Sequence, residues 1–407
     1  MTGMPRPIRV VYIVPATFGH RFSGITRRLF SLLSGWQDPG ITLDLWGTDL
    51  KPVNMNSGNI EYQLPDGMRL WGDARVPGRL GLYRAAARQL ATLVSRRKDF
   101  DIAHFHNLAW DALLTPVILH RIGKKAVFTT SLLGSNNPGA VGRRRGGKLA
   151  LSLMRRFDGI VAVSPGLAAD CMQHGMRKVL CLPNFLAITE LEAGRNESLR
   201  AAVRARHQIP SEDIVLLFIG AAIRRKGLDI LVESYIRVAE CHPRTWLVLV
   251  GPCSEAESGV GFDLSYVDGQ RRRLHESHLS NRVVWAGMVT DKHELVGYYN
   301  AADIFVLPTR AEGLSNVLIE AAAAGQPAVA TNLPGITDTV VADGESGFLV
   351  PPDDVGATTR AIERLISDPS LRATMSASAR ARSRLFGFDR YCNSLKDFYL
   401  QVMETKA

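Results

Sequence analysis

The sequence predicts an α/β chain of two doubly wound, Rossmann-like domains facing each other across a deep cleft. Three observations carry this. Short apolar runs alternate with amphipathic stretches, as strands alternate with helices. The runs show little internal polar alternation, which suits parallel strands covered on both faces. The pattern also restarts midway, after a segment rich in Asn, Gly and Glu.

In the first half the strand-like runs are 8–14, 41–46, 102–105, 126–130, 159–163 and 179–182. Amphipathic stretches at 25–33, 80–97 and 150–157 supply helices between them. Residues 183–198 read as a linker. Beyond it come strands at 214–220, 246–251, 283–287, 304–307, 328–331 and 347–350, separated by helices at 228–239, 294–301, 317–324 and 357–366. The tail from 380 to 405 reads as one or two amphipathic helices. The expected domains are 1–190, completed by a C-terminal helix at about 386–407, and 191–385.

Composition excludes several classes. The chain has 407 residues, 46% apolar and 22% charged, which is too apolar for global disorder and lacks any collagen-like period. No apolar run approaches the roughly 18 residues of a membrane span, and the short run at 10–14 is too brief for a secretory signal. Five widely spaced cysteines without a C-x-x-C argue for a reducing compartment, so a cytoplasmic location is expected. The formal net charge is +10, unevenly spread: residues 1–190 carry +13 and residues 191–407 carry −3. That asymmetry suggests an anionic partner for the first half. Arg143, Arg144, Arg145, Lys148, Arg155 and Arg156 crowd one segment, and Arg84, Arg88, Arg96, Arg97 and Lys98 stud another. Peripheral contact with an anionic membrane is the expected use, rather than nucleic acid, because no aromatic-interleaved basic motif is present.

Some fragments resemble sites without the context a site needs. Gly142–Lys148 imitates a P-loop but has Leu149 where Ser or Thr would hold magnesium. Asp99 and Asp101 enter a strand rather than leave one, and His275 and His278 lack the spacing of a zinc helix. No metal site is expected.

The chemistry concentrates between 304 and 352. A strand ends at Pro308, then Thr309-Arg-Ala-Glu312-Gly313-Leu314-Ser315-Asn316 leads into an apolar helix containing Val317 and Glu320. Ser315 or Asn316 suits an N-cap, so the amides of 315–318 form an anion site fit for a diphosphate. Glu312 and Glu320 bracket it. Carboxylates there suit sugar and ribose hydroxyls rather than phosphate. After the strand at 214–220, Arg224-Arg225-Lys226-Gly227 places cations at a strand-to-helix turn, able to neutralise a leaving phosphate. His104 and His106 end a first-half strand on one face, with His106 nearer the edge.

The segment from Glu312 to Glu320 resembles the E-x7-E signature of retaining, nucleotide-sugar-dependent glycosyltransferases of the GT-B fold, sequence family 4. His104-Phe-His106, Ser164-Pro165, Pro183-Asn184, Lys226-Gly227-Leu-Asp229, Pro334-Gly335 and Asp343-Gly344…Gly347 are similar to its other motifs, in order, over roughly 8–385. The resemblance implies a donor bound mainly by the second half and an acceptor by the first. By it, Glu320 takes the ribose hydroxyls, Lys226 with Arg225 the diphosphate, and Glu312 the hydroxyls of the transferred sugar. Backbone amides come from Gly313, Leu314, Ser315, Asn316 and Val317, and His106 contacts the sugar near the anomeric carbon. Ser23 and Gly24 stand where the family has an acceptor or phosphate loop with two glycines. The substrates implied are a nucleotide-diphosphate-sugar and a glycan or lipid-linked saccharide, with no metal and no cofactor. The chain departs from the pattern at Ala221, where Arg is frequent, and at Ser131, where a His is frequent. A GT-B sugar-nucleotide epimerase and a non-catalytic donor-binding subunit remain open alternatives.

Overall fold

The computed structural model describes residues 6–14, 24–48, 70–73, 79–106, 113–131, 137–254 and 263–404. The chain divides into two compact units: Met1–Asn184 with Phe388–Ala407, and Phe185–Gly387. The crossing point thus lies at Asn184/Phe185, earlier than the expected boundary after residue 190. The reason is apolar. Phe185, Leu186, Ile188 and Leu191 are all buried, and the 3-10 turn Thr189–Ala193 packs against the helix Asn316–Ala323. The segment read as linker is therefore part of the second unit.

The first unit holds a seven-stranded parallel sheet of β1 (Ile8–Ile13), β2 (Ile41–Thr48), β3 (Leu70–Asp73), β4 (Ile102–His106), β5 (Lys125–Thr130), β6 (Gly159–Ala162) and β7 (Val179–Cys181). Their order is β3-β2-β1-β4-β5-β6-β7. The order reverses between β1 and β4, and such a switch point opens a crevice beyond the strands' carboxyl ends. One face of the sheet is filled by Val11, Phe100, Phe105, Phe128, Met154 and Phe157. The rings of Phe128 and Phe157 meet edge to face at 4.8 Å. Asp101, at the entry to β4, accepts from the Arg9 amide and pairs with Arg6 and Lys124.

The C-terminal helix Phe388–Glu404 belongs to this unit. Tyr391, Leu395, Phe398, Tyr399 and Val402 form its buried stripe, the spacing of an amphipathic helix. Phe398 lies so close to Gly159 that a Cβ there would come within 2.6 Å of its ring. A side chain at residue 159 would force the Phe398 ring to shift.

The second unit repeats the plan with β8 (Ile214–Ile219), β9 (Thr245–Val250), β10 (Val283–Gly287), β11 (Ile304–Leu307), β12 (Ala328–Thr331) and β13 (Gly347–Val350). The order is β10-β9-β8-β11-β12-β13, all parallel, with its switch point between β8 and β11. Leu216, Leu217, Ile304, Phe305, Val306 and Leu307 are fully buried at its centre. Helices Glu197–Arg206, Leu264–Glu276 and Pro369–Ser383, which the periodicity did not separate out, complete it.

Candidate active site

In the second unit two loops leave the sheet side by side at the switch point. The first follows β8 and carries the 3-10 turn Arg224–Lys226. The second follows β11 and leads into the helix Asn316–Ala323. Backbone bonds join them: the Arg310 amide donates to Arg225 O at 2.8 Å, and the Thr309 hydroxyl to the same oxygen at 3.0 Å. Arg310 also forms a fork on Asp229, 2.9 Å from each carboxylate oxygen. Burial, the largest influence on Asp229, acts upward. Hydrogen bonds from Arg310 and Tyr266 outweigh it and hold the carboxyl below its usual range. Asp229 is thus a brace for the turn.

This brace brings the sequence-picked residues together. Lys226 Nζ lies 2.5 Å from Glu312 Oε1, and Arg225 Nη1 lies 3.7 Å from the same oxygen. Arg225 also donates to Ala311 O at 2.8 Å. Glu312 is 6% exposed, and its Oε1 lies 3.2 Å from the buried Thr309 hydroxyl, whose one proton it shares with Arg225 O. Gly313 and Leu314 are buried behind it. Glu320, also 6% exposed, accepts from the Tyr299 hydroxyl at 2.6 Å. That bond answers why an apolar helix tolerates a carboxylate. Thr309 and Tyr299 had not been singled out from sequence. Thr309 carried a signal, as a hydroxyl directly after a strand-ending Pro308; Tyr299 carried none.

Ser315 occupies the N-cap position, with extended backbone, but its side chain makes no cap bond. Its hydroxyl is buried and has no partner. The Leu318 amide, expected among the free donors, is spent on Ser315 O at 3.2 Å. Among the described residues the amides of Ser315 and Val317 have no backbone acceptor. Asn316 and Val317 open the helix, half-buried. The arrangement is a donor cradle with cations on one side and buried carboxylates beside it. Hydroxyl-bearing diphosphates satisfy both halves.

In the first unit β4 ends at His106, beside the β1/β4 switch point. Its Nε2 accepts from Arg28 Nη2 at 3.3 Å, which leaves the ring proton on Nδ1. Burial first, then Arg28 and His104, hold His106 well below its ordinary pKa, so the ring is neutral. His104, two residues earlier, is structural: it bonds Tyr399 OH at 2.6 Å and Thr129 Oγ1 at 2.7 Å and stacks on Tyr12. Gly24 opens the helix Gly24–Gly35, whereas Ser23 lies outside the described residues. Among the described residues no three His, Cys, Asp or Glu side chains converge as a metal cluster would.

Two family models match successive parts of the chain. Residues 22–189 match Glycosyltransferase Family 4, and residues 200–382 match Glycosyl transferases group 1. The chain is 29% identical over 316 residues to the lipopolysaccharide core biosynthesis glycosyltransferase LpsE of Rhizobium meliloti, covering 75% of this chain and 84% of that one. It is 31% identical over 315 residues to a D-inositol 3-phosphate glycosyltransferase of Streptomyces avermitilis, covering 75% and 66%. Anabaena HepE in complex with UDP-glucose superposes with a TM-score of 0.74 at 18% identity, over 97% of this chain and 100% of that one. With both units matched, each by its own half of the same enzyme family, the chain belongs to the family 4 glycosyltransferases of GT-B fold.

Proposed function

We propose that this glycosyltransferase moves a sugar from a nucleotide-diphosphate-sugar to a glycan or lipid-linked saccharide, with retention of anomeric configuration. The setting we infer is the synthesis of cell-surface polysaccharide or glycolipid, in the cytoplasm at the inner face of the membrane. One observation carries the reading: Lys226, Glu312 and the start of the helix Asn316–Ala323 converge at the switch point of the second sheet. The likeness to HepE, which was solved with UDP-glucose, supports a nucleotide-sugar donor. LpsE, named for lipopolysaccharide core biosynthesis, supports a saccharide acceptor.

In this reading the diphosphate draws Lys226 from Glu312 and lies against the first-turn amides. Arg225, Lys226 and the helix N-terminus offset the charge that develops on it, and no metal is required. Glu312, released from Lys226, accepts from hydroxyls of the transferred sugar. Glu320, already held by Tyr299, accepts from the ribose. Neutral His106 donates to the sugar near the anomeric carbon. The anomeric C–O bond to the diphosphate breaks, and the acceptor oxygen bonds to that carbon from the same face. Its proton passes to the departing phosphate oxygen.

Glu312→Ala tests the assignment. A nucleotide-sugar panel screened by thermal shift first identifies the donor, since a ligand at 100 times its Kd adds about 2.7 kcal/mol. The variant is then expected to lose about a hundred-fold or more in transfer while binding the nucleoside diphosphate at least as well, because Lys226 is freed. Unchanged transfer sinks the role of Glu312. Product of inverted configuration sinks retention, and an epimerised sugar nucleotide formed without acceptor replaces transfer by epimerisation.

A further inference from the structure

The second unit has a cavity of about 340 Å³ at the end of the sheet where β11 and β12 begin, opposite the end that carries the turn Arg224–Lys226. It opens where the chain enters β11 and β12, with Asp303 and Gln326 at the back, Arg372 and Arg380 on one helix face and Arg195 at the rim. None of these residues belongs to the donor site.

Its charge is out of balance. Asp303 is the one carboxylate in the lining, and Arg195, Arg200 and Arg204 already share it at 3.4, 3.0 and 2.8 Å, while Glu197 outside the lining pairs with Arg195 at 3.0 Å. Arg372 donates to two helix-end carbonyls, Leu365 O and Ile366 O. Among the described residues neither Arg372 nor Arg380 meets a carboxylate. Two buried polar atoms are also unanswered: the Gln326 Oε1 acceptor, on a residue 3% exposed, and the Arg380 Nε donor. The Gln326 amide is fixed, because its Nε2 donates to Tyr299 O. Each such orphan carries its full desolvation penalty when nothing meets it. Water can answer the acceptor and hydrate the partly exposed guanidinium groups, but only an anion would balance their charge.

We propose that this cavity is a second small-molecule site, for a hydroxylated anion of the sugar-phosphate or polyol-phosphate class. The anionic group sits against Arg372 and Arg195, and a ligand hydroxyl donates to Gln326 Oε1. The volume is within the range of small-ligand pockets.

Isothermal titration of the full chain with glucose 1-phosphate, sn-glycerol 3-phosphate and inorganic phosphate tests this. One site per chain is expected, with at least one of the two organic phosphates binding about ten-fold or more tighter than inorganic phosphate. Saturating UDP should leave that affinity unchanged. Arg372→Met should weaken binding about ten-fold, and Gln326→Leu should erase the preference over inorganic phosphate. Should Arg372→Met fail to fold, the rim variant Arg195→Ala serves in its place. Displacement by UDP, equal affinity for all three anions, or no binding at about 10 mM each overturns the proposal. A chain that binds none of UDP, GDP and ADP but titrates normally with the organic phosphate rejects the donor-site reading and leaves the second site standing.

Discussion

Gly227 turns the phosphate loop back onto its neighbour with φ of +74°, and its Cα faces Pro308 so closely that a Cβ would lie 1.8 Å from the Pro308 carbonyl oxygen. A backbone atom cannot yield as a flexible side chain can. Gly227→Ala is therefore expected to cost more than the roughly 1–2 kcal/mol of a left-handed alanine alone, because the loops after β8 and β11 must also separate. A melting curve should fall by several degrees, and nucleotide affinity should fall because the turn carrying Lys226 is displaced from the start of the helix Asn316–Ala323. A variant with unchanged melting temperature and nucleotide binding would falsify the close approach. At this scale the sequence was legible where chemistry and spacing coincide: Lys226, Glu312 and Glu320 stand in motifs whose purpose could be argued. Tyr299 and Arg28 were not, since neither is near its partner in sequence. Only the fold sets Tyr299 against Glu320 and Arg28 against His106.

The C-terminal helix is tied to the first sheet by a line of polar bonds through the core. Thr129 on β5 meets His104 Nε2, His104 Nδ1 meets Tyr399, and Tyr399 donates to Tyr12 on β1 at 2.8 Å. Both hydroxyls can give or take a proton, so the line closes around the imidazole without a charged partner, and burial keeps the ring neutral. Burial pushes His104 down to about 3, and it holds His106 low as well. Unfolded, both rings titrate near 6.5. The folded state thus binds fewer protons than the unfolded state between those values, and stability rises with pH there. What the two rings contribute is intact above about pH 6.5 and drains away as pH falls toward 3, the folded value of His104. Each ring adds a slope of up to about 1.4 kcal/mol per pH unit. Denaturant unfolding at pH 7.5 and 5.0 should show that loss, and the double variant His104→Gln, His106→Gln should show less of it. Equal pH dependence in the two proteins refutes the argument. Most elements at this scale were readable, because buried parallel strands are continuous apolar runs. β3 was missed: Leu70–Asp73 is a four-residue edge strand with a glycine and an aspartate in it. The helix Glu197–Arg206 was hidden by its polarity; Arg200 and Arg204 cap the Ala301 carbonyl at the end of the helix Lys292–Ala301 rather than face water.

Across the whole molecule the charge divides more sharply along the structural units than along the halves of the sequence. The unit built from Met1–Asn184 and Phe388–Ala407 has 28 Lys and Arg against 14 Asp and Glu, a net +14, and Phe185–Gly387 carries −4. The phosphate turn lies in the acidic unit, so donor binding does not account for the basic excess. Arg143, Arg144, Arg145 and Lys148 are all exposed, and Leu149 beside them is 68% exposed. An apolar side chain set among cations suits the boundary of an anionic bilayer. The helix Arg79–Ser95 contributes less to such a surface than its sequence suggested, because Leu93 is buried in the core. No helix among the described residues is long and apolar enough to cross a membrane. Each Lys or Arg near anionic headgroups adds about 1 kcal/mol. Arg143→Glu, Arg144→Glu and Arg145→Glu together should therefore lower partitioning onto phosphatidylglycerol vesicles by about two orders of magnitude. Flotation at low ionic strength should recover the unaltered chain with those vesicles, and about 1 M salt, with a Debye length near 3 Å, should release it. Leu149→Asp should weaken the salt-resistant remainder. Recovery with neutral phosphatidylcholine alone, or recovery indifferent to salt and to the triple substitution, would mean that the basic unit serves something other than a membrane surface.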